Sequence, residues 1–153
     1  MRNMHASWAV PAVVALATVA GCAVGSSSTR ADDARALVDP LEQASSAVAT
    51  ATIAVGLLGD DAVTPAVADT SLLDQNAVLE DAGFAVSTLV PTDATTAAWQ
   101  ADALAAVRDA QASVVAARAW ANGAAAGQDA VASALDTSAD QLDELTGRLE
   151  ASS

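Results

Sequence analysis

The side chains that most often act as nucleophiles, bases or metal ligands are almost absent from this chain. Cys22 is the one cysteine and His5 the one histidine, and lysine and tyrosine do not occur. Beyond Cys22 the chain therefore lacks the parts of a Ser-His-Asp or Cys-His nucleophile, a lysine Schiff base and a histidine general base. It also lacks the His and Cys ligands of zinc and di-iron sites in helical bundles. We predict a protein that is not an enzyme, with no catalytic residue, no metal and no cofactor.

Carboxylates are the remaining groups that could do chemistry, and they are plentiful. Aspartate and glutamate number 19 against six arginines, which gives a net charge of −13. None of the adjacent acids fits the spaced Asp-x-Asp-x-Asp-Gly pattern of a calcium loop. Such acids are typical of solvated helix surfaces, and cation binding is the alternative. The acidic balance argues against nucleic acid as a partner, because binding phosphates requires a basic face.

The residues before Cys22 resemble a targeting sequence rather than part of a fold. Arg2 and His5 precede an apolar run over residues 9–19, which Pro11 interrupts. This run is about the length of a secretory h-region and is shorter than the roughly 20 residues of a transmembrane helix. We predict a signal peptide over residues 1–21. An ordinary secreted protein with one unpaired cysteine, or an uncleaved N-terminal anchor, is the alternative.

The end of this run carries a short motif, Val19-Ala20-Gly21-Cys22. It resembles the lipobox of bacterial lipoproteins, which is an aliphatic residue, a small residue, Gly or Ala, and then Cys. The resemblance implies that a type II signal peptidase recognises Val19, Ala20 and Gly21, cleaves before Cys22, and leaves a diacylglyceryl group on that cysteine. Two acyl chains hold a protein stably on a bilayer, whereas one holds it only marginally. The implied location is the extracytoplasmic face of the cell membrane, with the lipid bilayer as a partner.

The rest of the chain indicates helices. Alanine makes up more than a quarter of the residues and aromatic residues only 3%, a composition that favours helix over strand. After a tether over residues 22–31, we predict one helical-bundle domain over residues 32–153. This region is similar to the small, alanine-rich helical lipoproteins of actinobacteria, a likeness that implies no activity.

Apolar residues recur at steps of three and four in four segments, which is the period of an amphipathic helix. Short connections force neighbouring helices to run antiparallel. We predict an all-α, antiparallel up-down-up-down four-helix bundle, with a three-helix bundle frayed around residues 124–127 as the alternative. The stripes are Leu37, Leu41, Ala44, Val48, Ala51, Val55 and Leu58; Ala68, Leu72, Gln75, Leu79, Ala82, Val86 and Leu89; Leu104, Val107, Val114 and Ala121; and Val131, Leu135, Ser138, Leu142, Leu145 and Leu149.

The sequence is compatible with two positions for the start of the first helix. Asp39-Pro40-Leu41-Glu42 has the pattern of an N-cap followed by proline at the first helical position. The helix therefore begins either at Asp39, or near Ala31 with a kink at Pro40.

Two sets of residues on or beside the stripes are candidates for binding. Gln75, Gln111 and Ser138 stand where apolar residues are expected, and antiparallel counting brings them to one polar layer in mid-bundle. Such a layer can fix helix register, and the alternative is a small polar ligand pocket. Trp99 and Trp120 are three heptads apart on one helix face, where they either pack at the core edge or form a face for a partner.

Two functional hypotheses follow from these residues. The first is a membrane-anchored cell-envelope lipoprotein with a non-catalytic interaction or structural role, which meets an envelope protein through one helix face. The second is a lipoprotein that binds a small molecule or cation. A core rich in alanine leaves little room for a large cavity, so we favour the first.

Overall fold

The computed structural model describes residues 29–153, and within them the chain forms four α-helices and no strand. The helices are α1 (Arg30–Gly59), α2 (Pro65–Thr88), α3 (Ala94–Ala121) and α4 (Gln128–Glu150). The predicted all-α four-helix bundle is confirmed, and residues 124–127, where a three-helix alternative would fray, form the short loop between α3 and α4. The predicted signal peptide, and the tether up to residue 28, lie outside the described residues.

Consecutive helices run in opposite directions, as contacts at their ends demonstrate. Arg30, at the start of α1, bonds to Asp93 at the start of α3, so these two helices begin at the same end of the bundle. The side chain of Gln128, at the start of α4, packs directly over Gly59 at the end of α1, where any β-carbon would overlap it. Among the described helices α1 contacts the other three, whereas α2 and α4 do not touch. The cross-section is therefore a rhombus with α1 and α3 on its short diagonal.

Helix α1 begins at Arg30, which decides between the two predicted starts. Thr29 accepts a hydrogen bond from the backbone N–H of Asp32, and the Asp32 carboxylate accepts one from the backbone N–H of Thr29. This reciprocal capping box satisfies two N–H groups that have no partner inside the helix. The helix then continues through Pro40, which is buried. The prediction of a start at Asp39 is wrong, and the helix begins two residues before the predicted domain boundary at residue 32.

The starts of α2 and α3 have similar caps. Thr64 accepts a hydrogen bond from the backbone N–H of Val67, and Pro65 occupies the first helical position, where its missing N–H costs nothing. Asp93 caps α3 and exchanges bonds with Thr96. Helix α4 begins after Gly127 without a side-chain cap.

The four predicted stripes form the core. All of their residues are buried except four that are partly buried. Helix α3 contributes more alanine than predicted, because Ala103, Ala106, Ala110 and Ala117 are also buried. The residues of the stripes that are only partly buried are Leu58, Gln75, Leu89 and Leu104.

The bundle has two different ends. We call the end with the start of α1, the α2–α3 loop and the end of α4 the Thr29 end, and the end with the turns at residues 60–64 and 122–127 the far end. At 1.5 Å per residue, α1 spans about 45 Å between them. The far-end turns each contain a residue with left-handed backbone, Asp61 at φ 56° and Gly123 at φ 89°.

Helix α1 is also the one helix within residues 29–153 that is long and apolar enough to cross a membrane. The central helix of a bundle meets the same criterion, because it must bury apolar residues against several neighbours. Helix α1 contacts all three other helices, and 39% of its most apolar 18-residue stretch is buried inside the bundle.

Candidate interaction surface

The three residues of the predicted polar layer lie in separate surroundings. Gln75 is partly buried and donates a 3.4 Å hydrogen bond to the carbonyl of Ser71, one turn earlier in α2. Gln111 is partly buried beside a groove between α2 and α3. Ser138 is buried in the interface between α3 and α4. No hydrogen bond joins any two of them in the described part of the chain, so they do not form one bonded layer.

The partner of Ser138 is a residue that the stripe pattern did not single out. The hydroxyl groups of Ser138 and Ser113 are 2.8 Å apart, and both also lie within hydrogen-bond distance of the carbonyl of Ala134. Every polar atom of this pair is therefore satisfied without an outside ligand. A satisfied hydroxyl pair between two helices fits a role in helix register better than one in binding.

Trp99 and Trp120 are both partly buried and pack against the core. They lie near the two ends of α3, as their spacing predicted. Their position corresponds to the predicted packing at the core edge. Neither of them is among the large apolar side chains that are most exposed.

The most exposed apolar side chains come from other positions, and several of them meet in one groove. The outer groove, as we call it, lies between the last three turns of α1 and the first two turns of α2, has a volume of about 130 Å³, and is predominantly apolar. Ile53 is 62% exposed, Val67 56% and Leu57 41%. The lining residues of the outer groove are Thr50, Ile53, Ala54, Leu57, Val63, Val67, Ala68 and Ser71.

The surface around the outer groove is acidic, and the parts of α1 and α2 that form the groove carry no basic residue. Residues 36–107 contain no arginine, lysine or histidine, so α2 and all but the start of α1 present only negative charges. Asp74 lies three residues after Ser71, which places its carboxylate on the groove side of α2, and Asp60 directly follows the last turn of α1 as its C-cap. Both are exposed, and neither forms an ion pair within residues 29–153.

One carboxylate on α2 does have a basic partner, on the side that faces α3. Arg118 donates a 2.7 Å hydrogen bond to Asp69, and the side-chain amide of Asn122 donates another to the same oxygen. The bond from Arg118, and then that from Asn122, hold the pKa of Asp69 below its ordinary value. This contact ties α3 to α2 at the far end but lies away from the outer groove, because none of these three residues lines it.

A second groove lies between α2 and α3, closer to the Thr29 end. Phe84, which is 71% exposed, lies along it with Leu104, and Glu80, Arg108 and Gln111 supply polar groups. Its volume is about 280 Å³. Arg108 is the one arginine of the described residues that forms no ion pair.

The described residues hold no metal-binding cluster, and the pocket at the Thr29 end is small. No group of three or more His, Cys, Asp or Glu side chains converges within residues 29–153. A pocket beneath Leu89 and Pro91 at the Thr29 end has a volume of about 10 Å³, which is close to the minimum for one water molecule.

The lipobox residues Val19, Ala20, Gly21 and Cys22 lie outside the described residues. No protein-family model matches the chain, and no curated protein or solved structure is significantly similar to it.

Proposed function

We propose that this chain is a membrane-anchored cell-envelope lipoprotein whose bundle binds another protein without catalysis. The observation that carries the interaction role is the outer groove. Ile53, Leu57 and Val67 leave large fractions of apolar side chain in water within one groove. Contiguous apolar surface rimmed by polar residues is typical of sites that bind proteins or ligands.

The anchoring part of the proposal rests on the sequence Val19-Ala20-Gly21-Cys22 at the end of an apolar run. It is compatible with the geometry of the bundle. Helix α1 begins at Arg30, so only six residues separate Cys22 from its N-cap at Thr29. An anchor at Cys22 would hold the Thr29 end near the bilayer and direct the far end, with the outer groove, away from it.

Metabolic labelling with a fatty acid tests the anchor. In a bacterial host that processes lipoproteins, we expect the natural chain to incorporate the label and the Cys22→Ser variant to lose it. A matched substitution before the motif, Ala17→Ser, should keep the label. Equal labelling of the natural chain and the Cys22→Ser variant would contradict the proposal, as would a natural chain that remains in the cytoplasm.

A second candidate function, binding of a small molecule, is favoured by the groove between α2 and α3. Phe84 and Leu104 offer apolar contact, and Arg108 offers a positive charge with no carboxylate partner in the described bundle. These groups suit a small amphipathic carboxylate. A thermal-shift screen of such carboxylates should find compounds that raise the melting temperature of the natural chain but not of Arg108→Gln. Equal shifts for both proteins would exclude this site.

A further inference from the structure

We infer that the outer groove binds a positively charged amphipathic helix of a partner protein. This inference rests on the proposed interaction role and specifies the surface and the chemistry of the partner. Three properties of the groove support this inference. Its floor is apolar, its surroundings are negatively charged, and the backbone groups of the two helices that form its sides are already hydrogen-bonded within those helices.

The apolar floor requires a partner with apolar side chains at helical spacing. Thr50, Ile53 and Leu57 are separated by steps of three and four on α1, and Val67 and Ser71 follow the same rule on α2. The lined stretch from Thr50 to Leu57 is about 10 Å long at 1.5 Å per residue. Two turns of a partner helix, with anchors at positions i, i+3 or i+4 and i+7, match that length.

The partner segment is a helix rather than an extended strand because of its backbone. Two helices form the sides of the outer groove, and their own backbone groups are already bonded along α1 and α2. An extended segment would lose water from its N–H and C=O groups and find no partners there. A helix satisfies its own backbone and can pack on two others at the usual spacing of about 8–10 Å.

The charge of the surroundings selects a basic partner. Asp60 and Asp74 flank the groove, and no basic residue occurs anywhere in residues 36–107. Lysine or arginine beside the apolar anchors would gain from these carboxylates, whereas acidic residues would be repelled. A second copy of this chain would bring net negative charge to the same surface. An anionic bilayer would be repelled as well, and the groove lies near the end of α1 opposite Thr29.

Site-specific photo-crosslinking in intact cells tests the inference on the full chain. A photoreactive amino acid replaces Ile53 in the outer groove or, as the control, Val115 on α3, which is 55% exposed. We expect a protein adduct from position 53 and little or none from position 115. The crosslinked segment, mapped by mass spectrometry, should be a helix-forming sequence with net positive charge and apolar residues at helical spacing.

Substitutions then separate the apolar and the charged contributions, with the crosslinker kept at position 53. Val67→Ser should lower the adduct yield about tenfold, the loss expected for one buried valine, whereas Val115→Ser should not. Asp60→Asn combined with Asp74→Asn should lower it about threefold or more. The matched pair Asp136→Asn and Asp140→Asn, on exposed positions of α4, should leave it unchanged. Circular dichroism of each variant verifies that the bundle is folded.

The possible outcomes separate this inference from the proposed function. Equal adducts at positions 53 and 115, an adduct to lipid or to a second copy, a crosslinked segment without positive charge, or no response to Val67→Ser would each overturn the inference. If Cys22 is still labelled in that case, the anchor stands, and a protein adduct at position 53 whose segment lacks positive charge leaves the interaction role standing as well. A specific adduct at position 53 without fatty-acid labelling would overturn the anchor and leave the groove assignment in place.

Discussion

The two ends of the bundle differ in how their helices are held together. At the Thr29 end, long-range polar contacts join the elements: Arg30 and Asp33 of α1 bond to Asp93 and Thr92, respectively. The side-chain amide of Gln100 donates to the carbonyls of Val86 and Leu89 and so closes the end of α2 onto α3. At the far end the main polar tie is the contact of Asp69 with Arg118 and Asn122, described above.

The residue composition of the core also differs between the two ends. Most of the fully buried leucines pack towards the Thr29 end, whereas the last turns of α1 and α3 contribute mainly alanine and valine to the core. Alanine buries little area, so each buried leucine carries a large share of the hydrophobic stabilisation. The far end, which has fewer of these contacts, also bears the outer groove. The comparison indicates that the Thr29 end contributes more to the stability of the fold, while the far end bears the exposed apolar side chains of the outer groove.

A core substitution at each end gives the largest expected effect. Leu142→Ala, at a position that is 0% exposed in the half of α4 nearer the Thr29 end, should lower the free energy of unfolding by about 2–5 kcal/mol. Val114→Ala, equally buried on α3, removes two methyl groups and should cost about 1.5–2 kcal/mol. Urea denaturation followed by circular dichroism measures both. Because Leu142→Ala removes three carbon atoms and Val114→Ala two, the losses are compared per carbon atom removed, and equal losses per carbon would contradict the view that the leucine-rich end dominates stability.

Acid should weaken the Thr29 end more than the far end. Bonds from Thr29 hold the pKa of Asp32 below its ordinary value of 3.8, and bonds from Thr96 and Arg30 do the same for Asp93. A group whose pKa is lower in the folded state contributes stability above its unfolded pKa and loses it as the pH falls through the folded value. The urea midpoint should therefore fall as the pH drops below about 4.

Variants assign this acid sensitivity to one end. Asp93→Asn should lower the urea midpoint at neutral pH and flatten its decline in acid, because one of the groups with a lowered pKa is gone. Asp69→Asn, at the far end, removes one such group as well but leaves both of those at the Thr29 end. Asp136→Asn, at an exposed position of α4, should behave like the natural chain. If the urea midpoint of Asp69→Asn declined less steeply in acid than that of Asp93→Asn, the far end would be the more acid-sensitive end.

Substitution of glycines within helices tests whether backbone entropy limits the stability of the far end. Gly56, near the end of α1, and Gly147, near the end of α4, have open space where a β-carbon would lie. Gly56→Ala and Gly147→Ala should each raise the free energy of unfolding by about 0.5–1 kcal/mol, since alanine restricts the unfolded chain. Hydrogen exchange adds a local measurement. If the far end opens separately, Gly56→Ala should slow exchange there more than Gly147→Ala does.

The fold was predictable from sequence because the core depends on a periodic pattern. Leu72, Leu79 and Leu135 recur at helical steps and are all buried. The start of α1 was ambiguous because Asp39-Pro40 has the pattern of a cap. The reciprocal bonds of Thr29 and Asp32, together with the burial of Ala34 and Leu37, show why the helix begins earlier.

The interaction surface could not be predicted in the same way. Ile53 and Val67 lie outside the apolar stripes, and they form a groove only because α1 and α2 are adjacent and antiparallel. Ser113 was missed as the partner of Ser138. It lies two residues after Gln111 in α3, and the rotation of α3 about its axis decides which of these two side chains faces Ser138. Helix faces that are rich in alanine leave that rotation weakly specified, since alanine can be buried or exposed at little cost.

The smallest expected effect tests the role of the outer groove directly. Val67→Ser and Val115→Ser replace valines of nearly equal exposure, 56% and 55%, and each should change the free energy of unfolding by less than about 0.5 kcal/mol. Urea denaturation measures both. If Val67→Ser were clearly more destabilising than Val115→Ser, the groove residues would be part of the folding core and their exposure would need no partner. If both are nearly neutral, the isolated fold gains little from Val67. That result would agree with the proposed docking role, in which Val67 contributes to contact with a partner rather than to folding.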